Sequence, residues 1–193
     1  MSGLLSIAGN LAGAWQLMLG RPEGLNRLDT SIEGFWRSFA AIVLLAPFAY
    51  LSLLSQMALE AAAATEAAPA TGGSLGLNAI ALLVDWFTFP LIFALLARPF
   101  GLASRYVPFI VARNWASVII AALLAVVHTL HLVGVLPAAA MPYVLLGAIA
   151  VALRFSYLVA RITLAASVAM AIPIVVLDLL VSLTIWSAFD RLG

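Results

Sequence analysis

Asp85, His128, His131 and Asp178 are ionisable residues set inside long apolar runs. A charge in hydrocarbon costs several kcal/mol unless it is neutralised, paired or hydrated, so such residues mark places where chemistry or helix packing demands them. Counted from the outer ends of their runs, Asp85 and His128 each lie about eight residues deep and Asp178 about eleven, which at ~1.5 Å per residue is roughly 12 to 16 Å. His131 follows His128 at i+3 and shares its face. Two carboxyls and two imidazoles at one depth can pass protons, bind a cation or hold a polar ligand. The alternative is that the acids are hydrogen-bonded to each other, to a His or to Ser and Thr hydroxyls, and fix helix packing. A metal role for the His pair needs further ligands from Asp85 or Asp178, and no established metal spacing is present. A His in a span can also ligate a tetrapyrrole axially, but no cofactor is expected.

Arg154 and Arg161 lie one heptad apart on nearly the same face of another apolar run. They suit snorkelling to lipid phosphates, or a headgroup or anion site in which the guanidinium fork grips phosphate. Trp36-Arg37 and Arg113-Asn114-Trp115 each pair an aromatic with Arg just before an apolar run, the chemistry of an interfacial anchor. Gly72-Gly73 lacks the Lys of a phosphate loop, and nothing resembles a nucleophile elbow or an HExxH helix. Ser156, Ser167 and Ser182 read as packing hydroxyls. No enzyme is expected.

The elements that must position these residues follow from composition. The 193 residues are 65% hydrophobic and 9% charged, with a mean hydropathy of +1.17; a soluble domain needs far more charge to cover its wetted surface, so lipid must cover much of this one. A net charge of +1 offers no basic field for nucleic acid. All basic residues are Arg, and the absence of Cys excludes disulfides, thiolate metal sites and lipidated-Cys anchors. No basic residue precedes Arg21, so a cleaved secretory signal is not expected.

The expected fold is an all-α membrane bundle of about five transmembrane helices plus an N-terminal interfacial amphipathic helix. Residues 1–29 form the interfacial helix and linker, with Leu4, Ile7, Ala8, Leu11, Trp15, Met18 and Leu19 as an apolar stripe and a stop near Gly20-Arg21-Pro22. Residues 30–193 form the spanning domain. Thr30-Ser31-Ile32-Glu33 fits a capping box with Thr30 as N-cap. Spans are expected over 38–59, 77–97, 114–136, 143–163 and 164–189, with kinks at Pro47, Pro90 and Pro173, and a helix extension through 60–70 that Pro69 and Thr71-Gly72-Gly73-Ser74 break.

Eight of the arginines fall on or near one side of this arrangement and only Arg191 on the other, which by the positive-inside rule puts the N-terminus in the cytoplasm and the C-terminus outside. Five spans, a cytoplasmic N-terminal segment and the Gly34-Phe35-Trp36-Arg37-Ser38-Phe39 sequence resemble small bacterial membrane proteins grouped near the YIP family. The resemblance implies a bacterial inner-membrane protein that organises or scaffolds membranes. The Asp-Leu-Tyr-Gly-Pro motif of the eukaryotic members does not occur, so neither their GTPase partnership nor any family site residue is carried over. The sequence therefore leads to a non-catalytic inner-membrane scaffold or accessory subunit acting through lipid, a protein partner or a homo-oligomer. The second reading is a small transporter or channel-like protein using Asp85, Asp178 and His128.

Overall fold

The structure, a computed structural model, describes residues 2–63 and 75–192. The expected break at Pro69 and Thr71 to Ser74 lies outside them, as does the helix extension beyond Ala63. Among the described residues seven helices follow one another: α1 (Ser2–Met18), α2 (Ile32–Ser38), α3 (Ala41–Ala63), α4 (Leu75–Ala97), α5 (Tyr106–Leu132), α6 (Met141–Thr163) and α7 (Val168–Asp190). Tight 3-10 turns at Pro22–Arg27 and Ala103–Arg105 join them, and no strand occurs among the described residues. Five stretches, α2–α3 together and α4 to α7, are long and apolar enough to cross a bilayer. Even the 23-residue helices span ~35 Å at ~1.5 Å per residue, more than a hydrocarbon core of ~30 Å. The chain is an all-α, multi-pass membrane protein.

Helix α5 is the hub. It packs against α1, α2, α3, α4 and α6, while α7 packs on α4 and α6. Half of the most apolar stretch of α5 is buried inside the bundle, against 11% for α7. Leu180 and Leu183 of α7 and Leu91 and Leu95 of α4 point outward, the side chains that lipid must cover.

Several boundaries differ from the sequence reading, and four of them have a local reason. Helix α5 begins at Tyr106 rather than near Asn114. Pro108 falls in its first turn, where backbone N–H groups have no intrahelical acceptor, so the ring costs nothing. Helix α7 begins at Val168 rather than Leu164, after a turn in which Ala165 takes φ 49°; that conformation usually announces itself with Gly, and here it does not. The first span is divided at Phe39-Ala40, where Phe39 and Ala40 N–H bond three residues back to Trp36 and Arg37. Ser38 Oγ donates to the Phe35 carbonyl at 2.7 Å, and the Trp86 indole donates to the Phe39 carbonyl at 3.2 Å. The N-cap is Ser31, not Thr30: its Oγ accepts from Gly34 N–H at 3.0 Å and donates to Asp29 Oδ1 at 2.6 Å.

Helix α1 docks on α5 and α6. Its buried face is Asn10, Gly13, Ala14, Leu17 and Met18, while Trp15 and Leu19 are exposed. That face is rotated from the expected stripe because Asn10 is used inward, its Oδ1 accepting the Asp29 N–H at 2.9 Å. Gly13 and Gly24 bring α1 and the following turn together backbone to backbone: a Cβ on Gly24 would collide with the Gly13 carbonyl oxygen.

Candidate functional site

The early start of α5 carries Arg113 two turns into the bundle, beside α7. Arg113 Nε donates to Asp178 Oδ2 at 3.0 Å and Nη2 to Asp178 Oδ1 at 2.7 Å, a bidentate pair with side chains 11% and 24% exposed. The guanidinium carbon lies 4.7 Å above the Phe89 ring. Phe89, Phe93, Tyr106 and Phe109 pack edge-on and stacked towards the α1 side of that ring, closing the bundle there.

On the other side of the pair opens a cavity of about 370 Å³ lined by all five spanning segments. Its floor is Arg113 and Asp178, its walls are Leu45, Ile120, Ile149 and Leu179, and Asp85 and Ser182 project into its lining. Ser182 Oγ donates to Asp85 Oδ1 at 2.7 Å. One guanidinium thus serves a cavity with two carboxyls. Arg113 is forked onto Asp178, and Asp85 has no ion pair of its own among the described residues.

The structure brings Asp85 and Asp178 to one cavity and leaves His128 and His131 away from it. At ~1.5 Å per residue His128 lies about 6 Å from the end of α5 at Leu132, whereas Asp85 is about 15 Å from Leu75 and Asp178 about 18 Å from Asp190. The expected match in depth depended on carrying the third span to Leu136. His128 is buried with no partner for Nδ1 among the described residues, and His131 Nδ1 donates to the Leu136 carbonyl at 3.0 Å. No group of three or more His, Cys, Asp or Glu that could hold a metal occurs among the described residues.

Trp36 and Arg37 are exposed on α2, at the start of the first span. Arg113 and Trp115, expected as the matching anchors, are instead drawn into the interior, Trp115 to 4% exposure among α1, α3 and α5. The register of α5 is the cause. Arg161 is exposed and donates to the Tyr157 hydroxyl at 3.1 Å, and Arg154 lines a shallow apolar groove between α6 and α7.

The sequence reading missed Arg113 as the counter-ion, and Ser182 as more than a packing hydroxyl. A signal was present: Asp178, Ser182 and Trp186 recur every fourth residue, one polar stripe on an otherwise apolar helix, and all three line the cavity. Comparison with protein-family models, with curated protein sequences and with solved structures gives no match.

Proposed function

We propose that the chain is a small non-enzymatic transporter or channel-like protein, with the cavity above Arg113 as the site that a proton or small cation occupies. The observation that carries this reading is the second carboxyl: Arg113 is forked onto Asp178, while Asp85 in the same cavity is held by neutral donors, Ser182 and the Trp186 indole, and has no ion pair among the described residues. A carboxyl at that depth takes a proton or a cation as its partner, and exchange between the two is what couples a site to flux. In this reading Asp85 is the exchangeable acid, Ser182 orients it, and the Arg113–Asp178 pair sets the local field. Pro47, Pro90 and Pro173 fall inside three of the lining helices, each withdrawing one backbone hydrogen bond near the site.

The test is flux in vesicles reconstituted with the full chain. Asp85→Asn keeps shape and the Ser182 hydrogen bond and removes the ionisable group, so proton- or cation-dependent flux is expected to fall to background with the helical fold intact. Wild-type vesicles without flux across a panel of protons and monovalent and divalent cations would sink the reading, as would an Asp85→Asn variant that carries flux at the wild-type rate.

The bidentate geometry of Arg113–Asp178 also supports a second reading, a bacterial inner-membrane scaffold or accessory subunit in which the pair clamps α5 to α7 and the chain works through protein or lipid partners. A stoichiometric protein that co-purifies in mild detergent and is lost with the clamp would favour it. The resemblance to the YIP family belongs to this second reading alone.

A further inference from the structure

A second cavity, of about 610 Å³, lies on the α1 side between α1, α2, α3 and α5 and shares no lining residue with the Asp85 site. Its lining changes character from rim to wall. Asp29 and Arg37 stand at the rim, and Ile7, Val43 and Leu44 form an apolar wall. The rim charges make only a loose pair, Arg37 Nη1 to Asp29 Oδ2 at 3.8 Å with side chains 69% and 36% exposed, so both keep hydrogen-bonding capacity for a third group. Trp115 lines the same cavity; it is 4% exposed, and its indole N–H is buried without an acceptor among the described residues. A buried donor in that state costs free energy, which an acceptor that reaches it from the cavity would recover.

The levels of these groups match. Asn114 Nδ2 donates to Ser38 Oγ at 3.0 Å, which ties Trp115 on α5 to the height of Arg37 on α2. Trp36 and Arg37 open the first span, where the headgroup layer belongs, and Val43, 71% exposed nearly two turns deeper, carries the apolar wall on to the lipid-facing surface.

We propose that this cavity binds one phospholipid with a zwitterionic, amine-bearing headgroup. The phosphate lies against the Arg37 guanidinium, the ammonium against the Asp29 carboxylate, a glycerol ester carbonyl accepts from the Trp115 indole, and one acyl chain follows Ile7, Val43 and Leu44. Opposite charges at the rim match a zwitterion; an anionic headgroup would face Asp29 unpaired, and a choline headgroup has no N–H to donate to it. Cavities of roughly 300–1,000 Å³ with an apolar body and few polar groups are the ordinary dimensions of such sites.

The experiment is native mass spectrometry of the full chain in mild detergent, titrated with phosphatidylethanolamine, phosphatidylglycerol and phosphatidylcholine of one acyl composition, with glycerophosphoethanolamine as the headgroup alone. One phosphatidylethanolamine is expected to bind at least tenfold more tightly than either other lipid, and the headgroup alone to bind far more weakly. Trp115→Phe keeps the buried ring and loses only the donor, so affinity should fall about three- to tenfold. Asp29→Asn should erase the preference over phosphatidylcholine, and Arg37→Gln, at an exposed position, should weaken all three lipids. Equal wild-type affinity for the three lipids would overturn the proposal, as would headgroup-only binding as tight as the lipid. Folded Trp115→Phe and Arg37→Gln variants with unchanged affinity would do the same, and the wild-type comparison stands even if a variant does not fold.

Discussion

Breaking the Arg113–Asp178 fork from one side leaves a buried charge without its partner, whereas replacing both sides leaves none. Arg113→Met or Asp178→Leu alone is therefore expected to destabilise the bundle by about 3–5 kcal/mol, and the double variant to recover most of that loss. Recovery should be completed by adding Asp85→Asn, because Asp85 lines the same cavity and Arg113 is the cation it shares. A double-mutant cycle of detergent unfolding measures this, and equal losses in the single and double variants would show that the fork is not what joins α5 to α7. A second residue-scale expectation concerns Asp29. The Ser31 hydroxyl and N–H both donate to it, holding its carboxyl below the ordinary carboxylate range. A lowered acid contributes stability that is fully present above the unfolded value, near pH ~3.9, and is lost as the pH falls below that through the folded value. Amide protection at Gly34, bonded to the Ser31 cap, should therefore hold from neutral pH to about 4 and fade beneath it. Fading already at pH 6 would contradict the assignment.

Among the elements, what the sequence made legible was what continuous apolar runs dictate: the number of helices that can span, and some of their ends, such as Ala97 and Thr163. What it hid was set by tertiary contact. Pro108 looks like a break in a one-dimensional reading and is a first-turn proline in the helix, and that single shift moves Arg113 and Trp115 from surface anchors to interior groups. The face of α1 was hidden for the same kind of reason: Asn10 reads as an outward polar residue until Asp29 N–H is there to use it. The glycines of that contact give a test. Gly24→Ala puts a methyl into the Gly13 carbonyl and is expected to cost about 1–3 kcal/mol and to loosen α1. Gly147→Ala, where a Cβ meets nothing within 4 Å, should be neutral or stabilise α6 by up to about 1 kcal/mol. Hydrogen exchange across α1 reads the difference. Equal α1 protection in the two variants would mean that the helix is held by something other than this approach.

For the whole molecule, five crossings put α1 and the last turn of α7 on opposite faces of the membrane. The charge bias from which an orientation is predicted survives the correction at Arg113, though with fewer contributors. Arg113 is inside the bundle and carries no weight, and Arg154 lies within α6. Six of the nine arginines, Arg21, Arg27, Arg37, Arg98, Arg105 and Arg161, remain in the α1-side connections or the helix turns that border them, and Arg191 alone stands at the opposite end. The 133–140 connection on that opposite side has no basic residue. The positive-inside rule therefore predicts that the α1 side faces the cytoplasm. Reporter fusions after Arg105 and Ala166 should read as cytoplasmic, and fusions after Ala138 and Leu192 as external. The pair at Ala138 and Ala166 is the sharper half of the test, because it brackets α6 alone and does not depend on how the chain runs between Ala63 and Leu75. If Ala138 and Ala166 report the same side, α6 does not cross and the cavity above Arg113 loses a wall; if all four reporters are inverted, the bundle stands and the arginine bias is not what orients it.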